Sequence, residues 1–197
     1  DGALLRDNTV FIYKVNLVEK ILATVLAKMS NFIPEGGIWM NTQRPEWNDA
    51  NNALVGNGVS MVTLYYLRRF LRFFETVVEK SESTDFHISK ELHLFFNQVI
   101  AGLQEHKSLL NGTISDGDRK RIMDVLGEAG SLYRNTIYDN RFSGDKDVVT
   151  KEDLVSFLDV ATAFLEHSIE VNKRKDSLYH AYNLMTVNGT DEVRISH

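Results

Sequence analysis

Apolar residues recur every three or four positions along most of the chain, which is the spacing of amphipathic α-helices. Leu17, Ile21, Val25 and Met29, for example, would form one apolar stripe. Successive periodic segments are separated by short polar stretches, so we predict an all-α fold of antiparallel helical hairpins. The predicted helices run from Asn8 or Thr9 to about Met29, from about Asn52 to Lys80, from Ser89 to Leu110, from Asp116 to Tyr138, and from Lys151 to about Asn183.

Local signals support two of these helix starts and distinguish the second helix. Ser115 and Thr150 each stand three residues before an aspartate, a pattern in which side-chain oxygens bind free amides at a helix N-terminus. Residues 53–74 are apolar on nearly every side of a helical projection. We therefore expect the second helix to be buried on most of its faces.

The last residues have a different pattern from the rest. Residues 186–195 alternate between apolar and polar positions and contain the Asn188-Gly189 turn signal. We predict a helical segment over residues 1–185 and the start of a β-hairpin or a disordered tail over residues 186–197. Because the pattern is abrupt at both ends, we expect the chain to be a segment of a larger protein.

Composition removes several classes of function. The 197 residues include no cysteine, which excludes thiol nucleophiles, cysteine-ligated metals and a disulfide framework. The net charge of -5 and the lack of a long basic block argue against nucleic acid as a partner. No apolar run is long enough to span a bilayer, and no histidine stands in a metal-ligand spacing. We predict no metal, no cofactor and no membrane partner, and we favour a cytoplasmic location.

Candidate chemistry is concentrated between residues 38 and 56, where both tryptophans of the chain lie. Flat aromatic rings offer apolar faces to sugar rings, while amide, carboxylate and guanidinium groups hydrogen-bond to hydroxyls. Glu46 and Asp49 are three residues apart, close enough to serve as paired carboxylates. The candidate catalytic groups are Asp49 and Glu46, and the candidate substrate-binding residues are Trp39, Arg44, Trp47, Asn48 and Asn52.

The same residues also have a structural interpretation. Asp49 could cap the second helix, Trp39 and Trp47 could fill the core, and Arg44 could pair with Glu46 in the loop. Under that interpretation the chain is a non-enzymatic helical interaction or scaffold module. The two interpretations differ in whether the indoles and the Asp49 carboxylate border an open cleft.

The segment Trp47-Asn48-Asp49-Ala50-Asn51-Asn52-Ala53-Leu54-Val55-Gly56-Asn57-Gly58-Val59-Ser60 resembles the Trp-Asn-Asp segment of cellobiose-phosphorylase-like enzymes. The likeness covers roughly twenty-five residues and requires one inserted residue near Asn51. Ala50 stands where that family has glycine, and Pro45-Glu46 stands where it has a Gly-Asp pair. The resemblance implies part of an (α/α)6 toroid, as in the six-hairpin glycosidase superfamily.

The resemblance also implies a reaction, the inverting cleavage of a glycosidic bond by phosphate or water. Such a reaction requires a carboxylic acid that protonates the departing oxygen. The family's acid corresponds to Asp49, and Glu46 is the alternative acid. The expected partners are an oligosaccharide, inorganic phosphate and the remainder of the parent polypeptide. Since a toroid of twelve helices cannot be formed from five, we expect the segment alone to be inactive.

Overall fold

The computed structural model describes residues 5–7, 11–41, 53–139 and 141–196. The described residues form both α-helices and β-strands, and a short 3₁₀ helix spans Lys107–Asn111. The helices are α1 Leu17–Met29, α2 Met61–Lys80, α3 Lys90–Glu105, α4 Asp116–Asp139 and α5 Lys151–Val171. The strands are β1 Phe32–Ile33, β2 Gly37–Trp39, β3 Gly58–Ser60, β4 Asp85–Ser89, β5 Lys146–Thr150, β6 Tyr182–Asn188 and β7 Glu192–Ser196.

Five strands form one curled antiparallel sheet in the order β1-β2-β3-β6-β7. The β1–β2 hairpin turns through residues 34–36, where Glu35 has a φ of 59°. Gly37 follows with a φ of 134°, and a Cβ there would lie 2.9 Å from the Ser60 backbone on β3. Glycine at this position therefore lets β2 pair closely with β3.

The other two strands pair with each other and join the starts of two helices. Strands β4 and β5 run antiparallel, with Asp85 opposite Thr150 and Ser89 opposite Lys146. Each strand leads directly into a helix, β4 into α3 and β5 into α5. The Lys151 amide donates to the Thr84 carbonyl at 2.7 Å and the Lys90 amide donates to the Asp145 carbonyl at 3.1 Å, so the ladder fixes where both helices begin.

One apolar core joins the five helices described above. Phe96 of α3 packs edge-on against Phe157 of α5, with ring centroids 5.3 Å apart. Phe32 of β1 packs against Phe164 of α5 in the same way at 6.3 Å, which fastens the curled sheet to the helices. A smaller cluster lies under the sheet and contains Ile33, Val59, Met185 and Val193.

The prediction of an all-α fold is wrong, because the chain forms a mixed α/β structure with a five-stranded sheet. The helical toroid expected from the resemblance is wrong for the same reason. Strands β1, β2 and β3 are two or three residues long, too short for an alternating pattern to be visible. Their pairing is also long-range, since Gly58 of β3 lies opposite Leu184 of β6.

The predicted helix starts are correct where a local capping pattern marks them and wrong at the first two helices. Ser115 Oγ accepts from the Asp118 amide at 3.1 Å and Thr150 Oγ1 accepts from the Asp153 amide at 3.0 Å, which confirms both predicted caps. The first helix begins at Leu17 instead of near Asn8, because Asn16 Oδ1 accepts from the Glu19 amide. The second begins at Met61 instead of near Asn52, because Ser60 caps it.

The fifth helix ends earlier than predicted. It stops at Val171, where the Asn172 side-chain amide donates to the carbonyl oxygens of Ser168 and Glu35. The residues that follow turn back through Ser177, which has a φ of 64°. The chain then enters β6, and β6 pairs with β7 across the turn that contains Gly189, with Asn188 opposite Glu192.

Candidate functional site

The connection between β2 and β3 has its two described ends held together by backbone hydrogen bonds. The Gly56 amide donates to the Met40 carbonyl at 2.7 Å, and the Met40 amide donates to the Gly58 carbonyl at 2.9 Å. The Trp39 indole Nε1 donates to the Gly56 carbonyl at 2.9 Å. The described residues on the two sides of positions 42–52 are therefore held together beside the Trp39 ring.

A cleft with two lobes opens at this point, and we call it the Trp39 cleft. Both lobes are bordered by Asn31, Trp39, Asn41 and Arg134. One lobe has a volume of about 360 Å³ and extends along α4, where Asp124, Glu128 and Ser131 border it. The other has a volume of about 330 Å³ and extends between α1 and β3, where Lys28, Ser60 and Thr63 border it.

The polar groups of the cleft combine both charges with amides and hydroxyls. Asn41 Nδ2 donates to Asn31 Oδ1 at 2.6 Å, and Asn31 Nδ2 donates to the Ala27 carbonyl, so the two amides are held beside the indole. Arg134 is exposed and its guanidinium donates to Ser131 Oγ at 3.3 Å. Among the described residues, neither Arg134 nor Glu128 takes part in an ion pair.

A second polar cluster lies at the opposite end of the β1–β2 hairpin, and we call it the Glu35 network. The Glu35 carboxylate accepts from Arg119 Nη2 at 2.5 Å and from the Ile114 amide at 2.9 Å. The Arg119 guanidinium also donates to the carbonyl oxygens of Pro34 and Val193 and contacts Asp116. The side chains of Glu35 and Arg119 are only 4% and 6% exposed.

The Glu35 network is enclosed by further partners. His167 Nε2 lies 3.2 Å from Glu35 Oε1, and Ser168 Oγ accepts from the Glu35 amide at 2.9 Å. Asn183 Nδ2 donates to the Gly36 carbonyl and to Asn172 Oδ1. Because both carboxylate oxygens of Glu35 already have protein partners and are buried, this cluster holds the turn of the hairpin instead of binding a substrate.

Of the seven predicted site residues, only Trp39 lies among the described residues, and it borders the cleft. Arg44, Glu46, Trp47, Asn48, Asp49 and Asn52 lie outside the described residues, so their roles stay predictions. Sequence reasoning missed Asn31, Asn41, Arg134, Asp124 and Glu128. Asn41 lies within the candidate segment but was not selected, and Asn31 lies just after α1. Asp124, Glu128 and Arg134 are brought to the cleft by α4 from far along the chain, and no local pattern marks them.

The described His, Asp and Glu side chains form no group of three or more that could hold a metal ion. None of the described helices is both long and apolar enough to cross a lipid bilayer. No protein-family model matches the chain, and no curated protein matches it.

Proposed function

We propose that this chain binds a saccharide in the Trp39 cleft, as part of a carbohydrate-active protein that cleaves glycosidic bonds by inversion. The observation that carries the proposal is the position of the Trp39 indole. The ring borders both lobes of the cleft, and its Nε1 donates to Gly56, close to where the described chain resumes after residue 52. The proposal rests on this cleft and not on a helical ring, since the described chain contains a curled sheet.

The chemistry of the cleft suits a polyhydroxylated ligand. An indole ring provides a flat apolar surface, and its fixed Nε1–H bond to Gly56 holds the ring in one orientation. Amides, hydroxyls and carboxylates around the ring can donate to and accept from sugar hydroxyls. The cationic side chains of Arg134 and Lys28 are the groups that would attract inorganic phosphate if phosphate is the attacking nucleophile.

The binding test uses cellobiose and isothermal titration calorimetry, with and without inorganic phosphate. We expect cellobiose to bind with a Kd in the millimolar range or tighter. Trp39→Ala and Arg134→Ala should each weaken this affinity by about tenfold or more. Arg69→Ala is the matched control, because Arg69 is exposed on α2 outside the cleft. Cellobiose, maltose and sucrose all failing to bind, or equal losses in the Arg134 and Arg69 variants, would overturn the proposal.

The acid is tested separately from the cleft, with a ligand that does not require turnover. Deoxynojirimycin has a basic ring nitrogen in place of the sugar's ring oxygen. A carboxylic acid beside it transfers its proton to that nitrogen, and the resulting ion pair strengthens binding. We expect the wild-type chain to prefer deoxynojirimycin over glucose, and Asp49→Asn to lose that preference while cellobiose binding is retained. If Glu46→Gln loses the preference for deoxynojirimycin and Asp49→Asn keeps it, the acid is Glu46. No effect in either variant would remove bond cleavage from the proposed function and leave saccharide binding.

A further inference from the structure

Helix α2 has two apolar faces, and only one of them packs in the core. Met61, Leu64 and Leu71 are fully buried, as the sequence predicts for this helix. The expectation that it is buried on most sides is wrong, because a stripe on the opposite face is exposed. That stripe contains Tyr66, Phe73 and Val77, which are 68%, 64% and 47% exposed.

An apolar groove of about 440 Å³ lies beside this stripe, between α1 and α2. Its α2 wall is Leu67 and Phe70. Its α1 wall consists of two parallel rows of side chains with four-residue spacing. One row is Leu17, Ile21 and Val25, and the other is Lys20, Thr24 and Lys28.

The dimensions of the groove fit a helix. From Leu17 to Lys28, α1 rises about 16 Å, which is three turns of a second helix laid alongside. Rows four residues apart leave grooves that accept the side-chain ridges of such a helix. Leu17 is 72% exposed at one end, and the α2 stripe continues the apolar surface beyond the groove. This combined surface is larger than a small ligand would cover.

The charges of the groove specify the partner's chemistry. Among the described residues, the charged side chains that border it are Lys20 and Lys28, both exposed. Within the described part of the chain neither lysine takes part in an ion pair. Arg69, in the middle of the adjacent stripe, is also exposed and free of ion pairs there. A partner that covers this surface brings its own side chains beside these cations, where carboxylates would be attracted and further cations repelled.

We propose that the α1–α2 groove docks an amphipathic helix whose apolar face is flanked by acidic residues. The partner's apolar side chains enter between the Leu17 row and Phe70, and its carboxylates pair with Lys20 and Lys28. This surface is separate from the saccharide site, apart from Lys28, which also borders the Trp39 cleft. For that reason Lys20 is the residue to vary.

The probe is a fluorescein-labelled peptide of about sixteen residues, with leucines at helical spacing and glutamates on both flanks. The matched probe has lysines in place of the glutamates. Fluorescence anisotropy should show the acidic peptide binding at least tenfold more tightly than the basic one, with a gain in helical circular dichroism on binding. Equal affinities, or no binding of the acidic peptide, would overturn the proposal.

One variant tests the role of charge in the groove, and another tests its apolar contact. Lys20→Glu should weaken the acidic peptide about three- to tenfold and strengthen the basic one, whereas Lys14→Glu, an exposed lysine outside the groove, should change neither. Leu17→Asp should weaken the acidic peptide tenfold or more, and its thermal unfolding should be unchanged because Leu17 is exposed. If Leu17→Asp does not fold, the proposal is judged from the peptide affinities of Lys20→Glu alone.

Two other occupants are outcomes that count against the partner helix. Sedimentation velocity that shows a Leu17-dependent dimer, without peptide binding, would make the occupant a second copy of this chain. Binding of dodecanoate in preference to the acidic peptide would make it an anionic amphiphile.

Discussion

The two ends of the β1–β2 hairpin use the same kinds of side chains in opposite ways. At the turn, Glu35 and Arg119 are buried and bind each other and the backbone around them. At the cleft, Glu128 and Arg134 are exposed and form no ion pair within the described residues. Residue type therefore does not separate structural from binding roles here. The separation comes from enclosure and from whether the polar atoms already have partners.

The largest expected effect is at the enclosed end. Arg119→Met leaves the Glu35 carboxylate buried without its cation, and we expect the free energy of unfolding to fall by about 3–5 kcal/mol. Urea denaturation followed by circular dichroism measures it. Arg69→Met, at an exposed position of α2, is the control and should change stability by less than about 0.5 kcal/mol. A loss below about 1 kcal/mol for Arg119→Met would show that the network is less enclosed than the structure indicates.

A smaller effect is expected where the same network joins β6. Asn183→Ala removes the side-chain hydrogen bonds to the Gly36 carbonyl and to Asn172 Oδ1, and leaves both acceptors buried. We expect a loss of about 1–3 kcal/mol in unfolding free energy, with cellobiose affinity unchanged. Asn135→Ala, at an exposed position of α4, serves as control in the same urea experiment. Reduced cellobiose affinity in Asn183→Ala would mean that the two ends of the hairpin are coupled.

At the open end the effect on stability is smaller and the effect on binding is larger. Trp39→Phe keeps an aromatic ring but loses the bond from Nε1 to the Gly56 carbonyl, which contributes about 1 kcal/mol. We expect a modest loss of stability together with a several-fold weaker cellobiose affinity, measured by calorimetry. Tyr66→Phe, at an exposed position of α2 that borders neither lobe of the cleft, should change neither. A stability loss as large as that of Arg119→Met, with unchanged affinity, would make Trp39 a structural residue.

What could be predicted from the sequence depends on how far apart along the chain the interacting residues are. Helix starts set by neighbours three residues apart, such as Thr150 with Asp153, were predictable because the signal and its partner are adjacent in sequence. The curled sheet was not, because β3 is three residues long and pairs with a strand more than a hundred residues away. The cleft was predictable only at Trp39. Arg134 reaches it through the packing of α4, which no local pattern encodes.

The smallest expected effect on stability is at Glu166, whose burial is intermediate between that of the Glu35 network and that of the Trp39 cleft. Glu166 on α5 is 35% exposed in its side chain and accepts from Arg68 Nη2 at 2.6 Å and from Arg72 Nη2 at 3.1 Å. Partial burial of Glu166 opposes its ionisation, but the hydrogen bonds from Arg68 and Arg72 outweigh that penalty and lower its pKa. Since solvent screens these charges, we expect Glu166→Gln to lose less than about 1 kcal/mol at neutral pH.

The lowered pKa of Glu166 also fixes the sign of the pH dependence. A carboxyl group with a depressed folded-state pKa stabilises the protein fully above its ordinary value of 4.5, and the contribution disappears as pH falls through the folded-state pKa. The stability difference between wild type and Glu166→Gln, from urea denaturation between pH 7 and pH 3, should therefore shrink on acidification. Glu170→Gln, at an exposed position one turn along α5, should show no such trend. If the difference in unfolding free energy stays constant or grows in acid, the two arginines do not stabilise the Glu166 carboxylate in the folded chain. A partly buried ion pair at this position would then add nothing to stability.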